Sequence, residues 1–426
     1  MSELRIDRRQ FFGSAALLGG FAATPAFAQA LVRAAPQNWA PVQALLDSYV
    51  AEDKAPGTIA AVARGTDDPQ FLASGKIGRG RDRAVDADTL YRVYSMSKPI
   101  TGIAAMMLIQ DGKLRLDQDI GDFIPSFRRP MVAIDPEKSL DARPASSAVT
   151  VRNLMTHTSG LGYIINTKGA LQKEYARLGL IGAVVSRQPI PGFPPVTPAP
   201  SLKDFAERIG TLPLVYQPNT RWSYAAGLDV MGYVVEAASG MPFATFLRER
   251  LFAPLGMNSS YFVVPESELP RLTTNYGIAG GKQFAIDGEN GSIYTDPTTP
   301  ALGGGGLVMS ARDYDRFLLM LAGYGAIGSA RVMRPDTARL AMSDLMLPSV
   351  DRTAIGGQGF GAGGRVTIKA DPNGSAVGTF GWGGAAGTIA WVDPTKRVRA
   401  SGYVQYMPSE TYNFSRDLGK AVYASL

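Results

Sequence analysis

Ser95 and Lys98 stand three residues apart in "SMSKPITGIAAMMLIQDG", and that pair could perform nucleophilic chemistry at a carbonyl. A serine hydroxyl attacks poorly until a base takes its proton. Residues i and i+3 share one face of a helix, so the hydroxyl of Ser95 and the amine of Lys98 can meet. In the first turn, unpaired backbone N–H groups and the positive end of the helix dipole favour a developing alkoxide or oxyanion at Ser95. Pro99 and the apolar run after it start a buried helix, where desolvation would lower the lysine from its usual pKa of ~10.4 and make a neutral amine available as base. Ser97 has no lysine three residues on and is set aside. The plainer alternative is that Ser95 caps the helix and Lys98 points to water. Spacing does not choose between them, since the chain's 12 lysines, each with roughly a 6% chance of a serine three places upstream, give about 0.8 such matches by accident.

Composition narrows the chemistry. The chain has 426 residues, 45% hydrophobic and 19% charged, enough for one large core or two sub-domains around an enclosed site. Its 48 Gly and 29 Pro predict many turns. The formal charge is only +6, with no block of like charge and no basic stripe, so nucleic acid is not an expected partner. With no cysteine, a thiol nucleophile, a disulfide framework and thiolate metal sites are excluded. The single histidine, His157, rules out a His-rich metal centre and leaves one residue around which a Ser-His-Asp triad could form. No G-x-S-x-G elbow occurs.

The first residues read as an export signal. "DRRQFF", the apolar "GSAALLGGFAAT" and the small-residue site "PAFAQA" match a twin-arginine leader cut after Ala28, which predicts a periplasmic or secreted protein. The apolar run is too short to span a bilayer and no later stretch approaches that length, so membrane insertion is not expected.

The elements that must hold Ser95 follow from periodicity. Val42, Leu45, Leu46, Tyr49 and Val50 predict a first helix, then "APGTIAAVARG" and "QFLASGKIGRG" a β-hairpin. Helical segments dominate from Ser95 to about Tyr261, each closed by Gly or Pro. The proline-dense stretch 186–201 predicts a long loop on the pocket rim. After a Gly-rich turn and one more helix, "GQGFGAGGRVTIKAD", "SAVGTFGWGGAAGTIAWVDP" and "RVRASGYVQY" read as three successive antiparallel strands, followed by a last helix. This order predicts an α+β protein: an antiparallel sheet built by both ends (29–94 and 300–426), flanked by N- and C-terminal helices, with a mostly helical domain (95–299) inserted.

"SMSK" at the head of an apolar helix, then "LMTHTSGLGY", "WSYAAGLDVMGYVVE", "GGGGLVMSARDYDRFLLML" and "FGWGGAAGT" resemble, in content and order, the class C serine β-lactamases, the penicillin-binding D-alanyl-D-alanine peptidases and the family VIII carboxylesterases. The resemblance covers nearly all of the chain after the leader. It implies Ser95 as acyl-accepting nucleophile, Lys98 as its proton partner and Tyr224 as the phenol sharing that proton. It also implies a third motif at Trp382, Gly383 and Gly384 on an edge strand that lines the substrate, with the N–H groups of Ala385 and Ser95 as an oxyanion hole. Two departures separate the branches. Ala226 stands where the lactamases and peptidases carry an amide, and Trp382 where they carry a cation. Both point to an uncharged small-molecule ester, with no metal or organic cofactor. A β-lactamase or D-amino-acid peptidase, and a non-catalytic sensor on the same fold, remain the alternatives. Tyr163 is a candidate pocket residue or a packed aromatic, His157 reads as a structural histidine at a helix end, and the glycines 303–306 and 356–364 as close-packed turns rather than phosphate loops.

Overall fold

The computed structural model describes residues 38–187, 196–369, 371–372 and 374–426; the predicted leader and the proline-dense residues 188–195 lie outside them. The centre is a seven-stranded sheet in the order Gly359–Phe360, Arg365–Val366, Phe380–Gly383, Ile389–Asp393, Val398–Tyr403, Gly57–Arg64 and Gln70–Gly75. All its neighbours pair antiparallel, and the N-terminal hairpin joins the C-terminal strands in the register Ile59↔Tyr403 to Arg64↔Val398. The protein is α+β.

The strand "GTIAAVAR" is apolar almost throughout because both of its faces are covered. Side chains alternate across a strand. Ala60 and Val62 face Trp39, Val42, Leu46, Tyr49, Phe414, Leu418 and Val422 of the first and last helices, Ala40–Ala51 and Phe414–Ala424. Those helices meet edge-on through the Tyr49 and Phe414 rings, with centroids 5.2 Å apart. Ile59 faces the other way, into the main core with Tyr91, Tyr403, Tyr314 and Phe317.

Two of the three expected strands are each a pair: "GQGFGAGGRVTIKAD" folds as Gly359–Phe360 against Arg365–Val366. "SAVGTFGWGGAAGTIAWVDP" folds as a hairpin, Phe380–Gly383 against Ile389–Asp393, turning through Gly384–Thr388. Gly387, at φ +82°, supplies the left-handed position that a run of β-branched and aromatic residues could not. Phe380–Gly383 is also not an edge strand, as it lies third in the sheet. Its partner Arg365–Val366 reaches only Gly381 and Phe380, so Trp382 and Gly383 pair with Ile389–Asp393 alone.

The helix Ser97–Gln110 runs through the middle of the molecule, with every residue from Ser97 to Leu108 buried. An apolar sequence on all sides is what such a central helix requires. The helix Ala311–Ala322 lies on the sheet and is tied to it by a buried ion pair: Arg399 Nε and Nη2 donate to the two oxygens of Asp315 at 2.9 and 3.1 Å, and Nη1 to the Gly65 carbonyl at 2.7 Å.

Removing one partner of such a pair strands a buried charge. Asp315→Ala is therefore expected to lower the unfolding free energy by about 3–5 kcal/mol, read from urea denaturation, and Asp315→Leu with Arg399→Met to recover much of that loss. A single variant as stable as the parent would contradict the assignment.

Candidate active site

A short antiparallel pair, Leu90–Arg92 with Val308–Ser310, delivers two chain segments side by side. It continues as Val93 N–H donating to the Leu307 carbonyl at 3.1 Å. Just beyond it, Ser95 sits in a 3₁₀ turn, Tyr94–Met96, and the α-helix proper starts at Ser97. The two serines of "SMSK" thereby part company. Ser95 stays partly exposed, whereas Ser97 is buried and its Oγ accepts from Leu307 N–H at 3.2 Å.

Lys98 is fully buried. Its Nζ donates to Ser95 Oγ at 3.1 Å and to the Gly304 carbonyl at 2.6 Å, and lies 4.7 Å from the centroid of the Tyr224 ring and 5.6 Å from that of Tyr163. The hydroxyls of Ser95 and Tyr224 are 2.6 Å apart. Ser95, Lys98 and Tyr224 are thus brought within hydrogen-bond reach, and the buried Tyr163 closes the same corner, its ring 5.5 Å from that of Tyr224.

Tyr224 lies in an irregular segment ahead of the helix Gly227–Ser239, held in place by hydrogen bonds to its backbone. Asn166 Nδ2 donates to the Tyr224 carbonyl at 2.7 Å, Ala226 N–H to the Gly162 carbonyl at 3.2 Å, and Ala225 N–H to His157 Nδ1 at 3.2 Å. His157 ends the helix Val151–Thr156 in a left-handed conformation, φ +56°, and its own carbonyl takes the Ser223 N–H at 2.9 Å. Burial, and secondarily the charge of Lys98, hold its imidazole well below the ordinary histidine pKa. It is therefore neutral, with Nδ1 as acceptor and the proton on Nε2. No hydrogen bond joins it to Ser95.

The glycine run 303–306 is the wall behind Lys98. A Cβ at Gly303 would come within 2.4 Å of the Leu228 carbonyl, and one at Gly304 within 2.5 Å of Asp229 Oδ2, so no side chain fits against the helix Gly227–Ser239. Gly304 N–H donates to Asp229 Oδ1 at 2.8 Å. Burial pushes the Asp229 carboxyl up to about 7, with Lys98 opposing. The close packing expected of the glycines 303–306 is thus present, whereas Asp229 and Asn166 are not among the residues that the sequence points to. The dense glycines signal that wall, but an isolated Asp in a helix and an Asn in a loop carry no such signal.

On the opposite side the hairpin turn brings Gly384 against Val93, whose carbonyl would be 2.4 Å from a Cβ at Gly384. Ala385 is exposed at the tip, and among the described residues its N–H has no hydrogen-bond partner. Trp382 is half-buried in an aromatic wall with Trp222, Tyr224 and Phe360, at ring separations of 6.5, 5.8 and 5.2 Å. Ala226 is buried at the start of the next helix and offers the site no amide. The arrangement can activate a serine, present a free backbone N–H nearby and receive an apolar group on Trp382.

Comparisons with known proteins agree with this architecture. The chain is 32% identical over 333 residues to protein Rv1367c of Mycobacterium tuberculosis, covering 75% of this chain and 78% of that one. It is 29% identical over 374 residues to esterase EstB of Burkholderia gladioli, covering 83% and 86%. Among solved structures it resembles EstCE1, described as a hydrolase with promiscuous acyltransferase activity, with a TM-score of 0.73 at 23% identity over 90% of this chain and 98% of that one. The family model described as Beta-lactamase matches residues 42–424, and the chain belongs to the Beta-lactamase family.

Proposed function

We propose that the protein is a serine hydrolase that cleaves uncharged carboxylic esters through an acyl-enzyme. The observation carrying this reading is the meeting of Ser95 Oγ with Tyr224 Oη at 2.6 Å and Lys98 Nζ at 3.1 Å in one half-buried corner. The kinship with an enzyme named as an esterase supports the ester branch. So does the absence of an amide at Ala226 and of a cation at Trp382, which leaves nothing at those positions to hold a β-lactam carbonyl or carboxylate.

In the proposed sequence Ser95 Oγ attacks the ester carbonyl carbon and its proton passes to the Lys98–Tyr224 pair. The carbonyl oxygen, now negative, is held by the N–H groups of Ser95 and Ala385, each contributing about 3 kcal/mol to the transition state. The C–O bond to the alcohol breaks, and Tyr224 Oη returns the proton to the departing oxygen. Water then takes the alcohol's place, gives a proton to the same pair and attacks the acyl carbon; the bond from that carbon to Ser95 Oγ breaks, the acid leaves, and the pair returns the proton to Ser95 Oγ. Trp382, backed by the buried rings of Trp222 and Phe360, offers an apolar surface for one of the ester's substituents, with Gly383, Gly384 and Tyr163 beside it.

Ser95→Ala is expected to reduce p-nitrophenyl butyrate hydrolysis to background with an unchanged circular dichroism spectrum; substantial remaining turnover would rule out Ser95 as nucleophile. Lys98→Ala and Tyr224→Phe should each lower kcat by roughly 10³-fold or more with little change in KM, and the double variant should be hardly worse than either single one, as groups acting together are not additive. The parent enzyme should turn over p-nitrophenyl butyrate faster than a chromogenic cephalosporin. The reverse order would assign it to β-lactam hydrolysis.

A further inference from the structure

Tyr94, immediately before Ser95, has φ +42°. Among the described residues only six non-glycine residues have positive φ, and an aromatic residue there is a genuine outlier that persists only where its surroundings impose it. Relaxation of Tyr94 to negative φ would rotate the peptide that leads into Ser95 and swing both its N–H and its Oγ.

The surroundings impose the conformation from three directions. Val93 is fixed on either side, its N–H donating to the Leu307 carbonyl at 3.1 Å and its carbonyl accepting from Met96 N–H at 3.0 Å. The Tyr94 ring is buried in a small apolar cluster with Leu90, Val264, Val308 and Ala386, the residue after Ala385. The phenol oxygen accepts from Asn275 Nδ2 at 3.0 Å. Asn275 is fully buried and opens the strand Asn275–Ala279 at a bulge in its register with Lys282–Asp287. A bulge re-aims a side chain. Nδ2 also reaches Met407 Sδ at 3.5 Å, while Oδ1 is buried without a partner among the described residues. Two local departures from regular backbone, the left-handed tyrosine and the bulge, meet at this one hydrogen bond.

We propose that Tyr94, held by Asn275, is a positioning residue that aims Ser95 at the carbonyl and sets its spacing from Ala385, through the packing of the Tyr94 ring beside Ala386. This rests on the reading of Ser95 as nucleophile. Tyr94 touches no reacting atom; it acts through the backbone it shares with Ser95 and through the turn that carries Ala385.

The test is kinetic and uses the full enzyme. Tyr94→Phe removes the acceptor and Asn275→Leu the donor of the same hydrogen bond, and both retain bulk. Each is expected to lower kcat roughly 10- to 100-fold with KM within about twofold, because misplacement of reacting groups costs rate rather than binding. The rate of Ser95 labelling by a p-nitrophenyl phosphonate should fall in parallel, with assays run below each variant's melting transition. The double variant should match the slower single variant. If Asn275→Leu fails to fold, Tyr94→Phe alone decides. A Tyr94→Phe enzyme with parental kcat and labelling rate, or variants whose effects multiply, would overturn the proposal. Ser95→Ala separates the two readings: an inactive Ser95→Ala beside a fully active Tyr94→Phe removes only the positioning role, whereas an active Ser95→Ala removes the nucleophile assignment itself.

Discussion

A fully buried lysine is the constraint around which this protein is arranged. Withdrawing an amine from water costs several kcal/mol unless its N–H groups find acceptors. Lys98 finds them at Ser95 Oγ and the Gly304 carbonyl. Each of those demands something further. The Gly304 carbonyl is placed by a side-chain-free loop pressed against the helix Gly227–Ser239 and held by Asp229. Ser95 is placed by a 3₁₀ turn whose entry residue is in a left-handed conformation.

The same constraint explains why the site draws on so many elements. The lysine comes from the central helix, its backbone acceptor from the segment ahead of Val308–Ser310, the phenol from the segment before Gly227–Ser239, and the exposed N–H from a sheet hairpin. No single element could supply them, since on one helix only neighbours at i±3 and i±4 meet. The 3₁₀ turn that leads into the central helix and the helix's first turn offer Ser95 and Lys98 on that basis and nothing more. His157, the one residue able to act as a conventional histidine base, is used instead as a neutral clamp on the Tyr224 segment, and burial keeps it so.

Much of this was legible beforehand where periodicity and residue type act locally. The first helix, the N-terminal hairpin, the apolar central helix and the closing helix all appear where alternation or helical spacing placed them. The reading of "SAVGTFGWGGAAGTIAWVDP" as one strand failed because its turn is only a few residues long and glycines are also tolerated in strands. The edge position expected for Trp382 failed because strand order is a property of long-range pairing, and the short strands Gly359–Phe360 and Arg365–Val366 add beyond it.

The sequence alone determined which chemical groups are present: one serine and one lysine at helical spacing, no cysteine, a single histidine, an alanine at 226 and a tryptophan at 382. These restrict the nucleophile and remove whole classes of metal and thiol chemistry. Only the tertiary structure decided that Tyr224, 129 residues from Ser95, lies 2.6 Å from it, that the Gly304 carbonyl caps the lysine, and that Tyr94 is held left-handed by Asn275. The division has a physical reason. Residue type and short-range spacing set what a group can do and which near neighbours it can reach, whereas contacts across hundreds of residues depend on how whole elements pack.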